Sequence, residues 1–280
     1  MKKVFISMDT EGLSGLTSWK EMDADPTCAG KAYIRELNWV IDELFRISPE
    51  IEEITLCDSH SRGENLPYGA FKDPRITQIK GYPRQDYMMA TLDSSYDMML
   101  LIGYHGMIGS KYAVMDHSYS SAGIYNIRIN DIGVGEVELN CFYAATLGVP
   151  VGLITGDNVL EDELKDNTNI NPAYVKTKEG LGRFSGKLYS PEYLEPLFKK
   201  ATRDAVDRLN NNKLKAIKAK TPTVLEIDTV TTVMADAVEM IPGVERIGGR
   251  TIRYTTSSFK EIMHMILVIA LLTGRFSNYI

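Results

Sequence analysis

Met98-Met99-Leu100-Leu101-Ile102 is an uninterrupted run of apolar side chains. It is too short for a core helix and lacks the alternation of a strand with one wet face. The segment Asp97–Ile102 therefore reads as a strand covered on both faces, and such strands belong to parallel sheets with helices above and below. Val4–Met8, Glu53–Cys57 and Pro150–Ile154 read as further strands of the same sheet. Lys31–Phe45 has helical spacing, with Ile34, Leu37, Ile41, Leu44 and Phe45 on one face, and Val137–Leu147 reads as a second helix. Strands alternating with helices predict an α/β fold: a mostly parallel sheet with helices on both faces.

The pattern changes further on. Ser190-Pro191-Glu192 starts a helix that runs to about Asn210, with Ser as cap and Pro in the first turn. A polar connector, Asn211–Thr221, leads to a strand (Thr223–Asp228), a helix (Thr231–Met240), a Pro242-Gly243 turn, a strand (Gly249–Thr255) and a closing helix (Ser258–Leu272). This predicts a smaller C-terminal α+β region. The expected division is 1-190 for the α/β domain and 191-280 for the α+β domain, with an approximate boundary that allows discontinuous membership.

Several classes are excluded early. The net charge of −6 leaves no basic footprint for nucleic acid or an anionic membrane. The longest apolar stretch, Ile262–Leu272, is broken by His264 and too short to span a bilayer. His264 itself, inside an apolar helix, reads as a satisfied core or interface histidine. Cys28, Cys57 and Cys141 are widely spaced and odd in number, so they form no disulfide framework. Free thiols, with no apolar leader at the N-terminus, predict a cytoplasmic protein.

The chemistry lies in where the rare residues fall. Only four histidines occur, and His60, His105 and His117 sit in Gly/Ser/Asp-rich turns. In an open parallel sheet the carboxyl ends of the strands form the ligand crevice. Asp9, His60, His105 and Asp157 each follow an expected strand end, so they are expected on one rim. Asp9-Thr10-Glu11 adds carboxylates one residue apart, and Gly133-Val134-Gly135-Glu136 brings another on a flexible approach to a helix. Asp9, Glu11, His60, His105 and Glu136 are thus candidate ligands for two divalent metals. Three carboxylates against two such ions leave about one positive charge. His117 has no strand feeding it and reads as a ligand or, preferably, a catalytic acid/base or oxyanion stabiliser on a loop. Asp58 and Asp157 either hold imidazole tautomers or cap local backbone. Taken singly, each residue has a plainer reading, as turn former, cap or solvated side chain.

The series as a whole resembles a known family. Ser7-Met8-Asp9-Thr10-Glu11-Gly12-Leu13-Ser14-Gly15 is similar to the N-terminal signature of the zinc-dependent D-aminopeptidases, peptidase family M55. Asp58-Ser59-His60-Ser61, Gly103-Tyr104-His105, His117-Ser118, Asn130-Asp131 with Gly135-Glu136, Gly156-Asp157 and Met240-Ile241-Pro242-Gly243 follow in the family's order. The resemblance implies a site for two Zn2+ per chain, with Mn2+ or Co2+ chemically admissible. Asp9 would bridge, Glu11, His60, His105 and Glu136 would complete the shells, and His117 would be catalytic. It implies a ring-shaped homo-oligomer as well. Met115-Asp116 and a longer loop between His105 and His117 depart from the family pattern, and that loop is expected to shape the substrate pocket.

The expected activity is removal of the N-terminal residue, a D-amino acid, from a short peptide through metal-activated water. Two alternatives use the same residues: an amidohydrolase or esterase acting on a non-peptide substrate, and a non-catalytic peptide-binding protein with structural metals. Three carboxylates disfavour the latter, because structural zinc prefers closed Cys/His shells.

Overall fold

Alternate residues of the first strand point to opposite faces, and both faces are covered. Val4, Ile6 and Met8 enter one core and Phe5 the other. A computed structural model describes residues 1–167 and 170–277; the last three residues of the expected C-terminal region lie outside them. The chain begins with β1 (Lys3–Met8), α1 (Trp19–Ala24), α2 (Cys28–Ile47), β2 (Glu53–Asp58), β3 (Ile76–Ile79) and β4 (Met98–Tyr104). It continues with β5 (Ile124–Ile129), β6 (Ile132–Gly133), α3 (Glu136–Thr146), β7 (Val151–Asp157), α4 (Asn158–Asn167), β8 (Ala173–Gly182) and β9 (Ser185–Leu188). Then follow α5 (Pro191–Asn210), β10 (Thr223–Thr229), α6 (Thr232–Val238), β11 (Val244–Arg246), β12 (Thr251–Thr256) and α7 (Phe259–Gly274).

Seven strands form the large sheet in the order β3-β2-β1-β4-β7-β8-β9. All its neighbours pair parallel except β8 and β9. Every residue of β4 and β7 is buried, as the unbroken apolar runs predict. The helices α2 and α5 cover one face, where Leu37, Val40, Leu194 and Phe198 meet Val4, Ile6, Leu100 and Ile102. On the other face Val137 and Ile262 join Phe5, Met99 and Leu101. Chain order reverses at β1, which lies between β2 and β4. Sheets of this kind open their ligand crevice at such a point.

The small sheet runs β11-β12-β10-β5-β6 and is antiparallel. Its strands β5 and β6 come from before residue 190, while β10, β11 and β12 come from after it. Conversely α5, beyond residue 190, is capped by the Ser190 side chain and packs on the large sheet. The chain therefore crosses the expected boundary in both directions. This interleaving matters for the site: β5 and β6 carry the small sheet up to the segments holding His117 and Glu136.

Candidate metal centre

Two glycines bring the ends of β1 and β4 together. Asp9 N donates to Ile102 O at 2.8 Å, and Gly12 N donates to Gly103 O at 2.7 Å. A Cβ on Gly12 would stand 1.7 Å from Tyr104 O. Gly103 has φ +78°, and a Cβ there would stand 2.2 Å from Asp9 O. Only glycine permits this approach. Asp9 and Glu11 consequently lie beside His105. The end of β2 joins them, with Ser59 N donating to Met8 O at 2.8 Å and His60 following.

All six expected side chains meet here. Asp9, Glu11, His60, His117 and Glu136 line a cavity of about 300 Å³, and His105 is buried behind it. His60 Nδ1 lies 3.0 Å from Glu11 Oε2 and 3.3 Å from Asp9 Oδ1. His105 Nε2 lies 3.3 Å from Asp9 Oδ2 and 3.7 Å from Glu136 Oε2. His117 Nε2 is 4.0 Å from Glu11 Oε1 and 3.9 Å from Glu136 Oε1. The His105 and His117 rings stack, and Trp19 meets His117 edge-on. Met115 and Tyr119, flanking His117, both have left-handed backbone (φ +53° and +61°), which non-glycine residues adopt at some cost.

Backbone carbonyls set two tautomers. His105 Nδ1 donates to Gly106 O at 2.9 Å, and His117 Nδ1 donates to Met115 O at 3.0 Å. A neutral ring with Nδ1 protonated presents a lone pair at Nε2. Asp9 Oδ2, His105 Nε2 and Glu136 Oε2 are buried without a hydrogen-bond partner, although they face one another. Such orphans carry a large desolvation cost unless something binds them. Their chemistry, two anionic oxygens around an imidazole lone pair, fits a divalent cation. Asp9, Glu11 and His105 form one compact group of possible ligands, and His105, His117 and Glu136 form another.

Electrostatics bind the cluster together. Burial pushes the Asp9 carboxyl up, and the like charge of Glu11 adds to this. Burial also opposes ionisation of Glu11, but His60 overrides it and holds Glu11 well below the usual carboxylate range. Burial would depress His60, yet Glu11 and Asp9 hold it well above the usual histidine range. Asp9 and Glu136 do the same for His105. These shifts arise because opposite charges face one another at low dielectric.

The surrounding residues fix the carboxylates. Trp19 Nε1 donates to Glu11 Oε1 at 2.6 Å, and Thr10 Oγ1 donates to Glu11 Oε2 at 3.0 Å. Tyr119 N donates to Glu136 Oε1 at 2.6 Å. Lys178, fully buried on β8, donates to Glu11 O at 2.6 Å and to Leu16 O, and burial pulls its ammonium down to about 8. Glu36 of α2 accepts from Ser14 N and Ser14 Oγ, both at 2.6 Å. Neither Asp58 nor Asp157 holds an imidazole. Asp58 accepts from Asn65 N and Leu66 N, while Asp157 caps Leu160 N and takes Val114 N at 3.0 Å. Both are backbone caps, and Asp157 anchors the loop that carries His117. His264 stands apart, half-exposed, with Nε2 2.8 Å from Asp86 Oδ1. Trp19, Lys178 and Glu36 are absent from the sequence-derived set; their only signal is proximity in space.

Residues 1–268 match the peptidase M55 family, the D-aminopeptidases. A D-aminopeptidase of Bacillus subtilis (strain 168) is 29% identical over 280 residues, covering 98% of this chain and 99% of its own length. The solved structure of the Zn-dependent D-aminopeptidase DppA from Bacillus subtilis, a self-compartmentalizing protease, is similar with a TM-score of 0.88. It is 28% identical, and 98% of each chain is covered.

Proposed function

The chain belongs to the peptidase M55 family of D-aminopeptidases, and on that premise we propose that it is a metal-dependent aminopeptidase that removes an N-terminal D-amino acid from short peptides. The observation that carries this reading is the placement of Asp9. Its Oδ1 lies 3.3 Å from His60 Nδ1 and its Oδ2 lies 3.3 Å from His105 Nε2. A carboxylate that offers one oxygen to each of two imidazoles would help to hold a cation beside each. Glu11 and His60 would complete one shell, and His105 and Glu136 the other.

Two zinc ions held there, or manganese or cobalt in their place, would polarise the scissile carbonyl and acidify a water toward neutrality. The protein's own part begins with Trp19 and Thr10, which keep both Glu11 oxygens aimed into the cavity. His117 stands on the open side. Its Nδ1 proton is committed to Met115 O, so Nε2 is the atom that takes up a proton and returns it to the leaving amine. The protonated ring also stabilises negative charge that develops on the scissile carbonyl oxygen.

The metal-binding residues all come from 1-190, and 191-280 buttresses them through interleaved strands. We infer a cytoplasmic homo-oligomer with ring symmetry from the free thiols and from the self-compartmentalizing relative. Among the described residues, no helix is long and apolar enough to cross a membrane. The test is metal analysis of the purified protein together with hydrolysis of matched D- and L-alanyl peptides. Two metals per chain and chelator-sensitive release of D-alanine are expected. Metal-loaded protein that cleaves neither series would overturn the reading.

A further inference from the structure

The metal cavity adjoins a second cavity of about 240 Å³, and the two share Ser61, Tyr87, Tyr119 and Ser120 as common walls. Together they form one groove. Its two ends differ in charge. The first end holds Asp9, Glu11 and Glu136 and no lysine or arginine, whereas the second holds Arg62 and no carboxylate. Arg62 is exposed and has no ion pair or hydrogen bond among the described residues. Its guanidinium is therefore free to meet an anionic ligand.

The wall shared by the two cavities also carries an unpaired polar atom. The Tyr119 hydroxyl is buried and has no hydrogen-bond partner, although its residue lines both cavities. The Tyr87 hydroxyl is committed to Ser61 O at 2.8 Å, which holds Ser61 in a left-handed conformation (φ +52°) immediately before Arg62. Leu267, Ala270 and Leu271 of α7 supply an apolar side to the second cavity.

We propose that Arg62 binds the C-terminal carboxylate of the substrate, making the second cavity the seat of the leaving residue and the enzyme selective for dipeptides and other short free-acid peptides. This rests on the aminopeptidase reading. The scissile amide must sit among the acids and imidazoles, and the shared wall of Ser61, Tyr87, Tyr119 and Ser120 leads the leaving residue from them toward Arg62. A planar guanidinium matches a carboxylate in both charge and geometry. The second cavity, about 240 Å³, is of a size for one small leaving residue.

The experiment compares D-alanyl-D-alanine, its C-terminal amide and D-alanine p-nitroanilide with zinc-loaded wild type, Arg62→Gln and Arg62→Lys. Wild type should prefer the free acid over the amide by about tenfold or more in kcat/KM, carried by KM. In Arg62→Gln that ratio should fall to near one, and Arg62→Lys should keep part of it. Equal use of acid and amide by wild type, or a ratio that Arg62→Gln leaves intact, overturns the assignment of Arg62 while leaving the aminopeptidase standing. Failure to hydrolyse all three substrates overturns the aminopeptidase reading itself, and this assignment with it.

Discussion

His105 and His117 stack with ring centroids 4.5 Å apart and planes 8° from parallel, and both direct Nε2 toward Glu136. They nevertheless differ in setting. His105 is buried between Asp9 and Glu136, whereas His117 borders the cavity. His105→Ala should therefore bind fewer than two metals per chain, while His117→Ala should keep both and lose about 10²–10⁴-fold in kcat. Metal content and steady-state kinetics of the two variants check this. Turnover that survives in metal-replete His117→Ala would remove His117 from the mechanism.

Metal removal should destabilise the fold. Three buried atoms at the centre lack hydrogen-bond partners, and the facing charges of the acids and imidazoles offset only part of their desolvation cost. Free zinc at about 100 times its dissociation constant would add about 2.7 kcal/mol. Chelation should lower Tm by several degrees, with recovery on adding zinc. Identical melting curves for apo and zinc-loaded protein would contradict the site.

Trp19→Phe keeps an aromatic ring against His117 but deletes the indole N–H that Glu11 Oε1 accepts at 2.6 Å. Residues that orient ligands typically matter about 10–100-fold for metal affinity or activity. A tenfold weaker zinc affinity, read by competition with a chromophoric chelator, is the expected result. Unchanged affinity would mean that Thr10 and His60 suffice to orient Glu11.

Gly12→Ala and Gly15→Ala should differ sharply. The added methyl at Gly12 meets the Tyr104 backbone at 1.7 Å, whereas at Gly15 the nearest atom is 3.9 Å away and only the positive φ of +85° is penalised. The first change should cost more than about 4 kcal/mol or prevent folding, and the second about 1 kcal/mol. Urea titration ranks them. Comparable losses would show that the strand ends separate more easily than the geometry implies.

Glu43 joins α2 to α5. Arg46 first, then Arg203, hold its carboxyl down to about 2 against the opposing effect of burial. A depressed carboxylate contributes stability above its unfolded value of about 4.5, and that contribution disappears as pH falls through about 2. Both guanidiniums are largely in solvent, which screens the pair to about 1 kcal/mol. Glu43→Gln should thus be less stable than wild type at pH 7, with the gap narrowing steadily below pH 4.5. A gap independent of pH would point to packing as its cause.

Strands covered on both faces are legible from their residues alone, which is why β1, β4 and β7 and the acids and imidazoles at the strand ends can be read without coordinates. Other parts cannot be read that way. The strand β8 contains Lys176, Lys178 and Glu179, and Lys178 is buried only because Glu11 O and Leu16 O, over 160 residues away, accept from it. No local pattern announces that compensation. Glu36 likewise breaks the apolar face of α2 to reach Ser14. The pairing of β5 with β10, sealed by Arg128 on Asp228, joins segments about a hundred residues apart. Asp58 and Asp157 look equally suited to two roles in sequence, and only the direction of nearby N–H groups decides for capping.

The candidate ligands span both sheets: Asp9 leaves the large one, and Glu136 follows directly on the small one. An ion shared between them is then a cross-link in the polymer sense, tying positions more than a hundred residues apart. For a covalent bridge, closing a loop of that length removes about 5 kcal/mol of entropy from the unfolded chain. A reversible clasp recovers part of this whenever metal is present. A metal held at these residues would therefore fasten the two sheets to each other, and the concentration of free metal would set how long the chain survives as well as how fast it works.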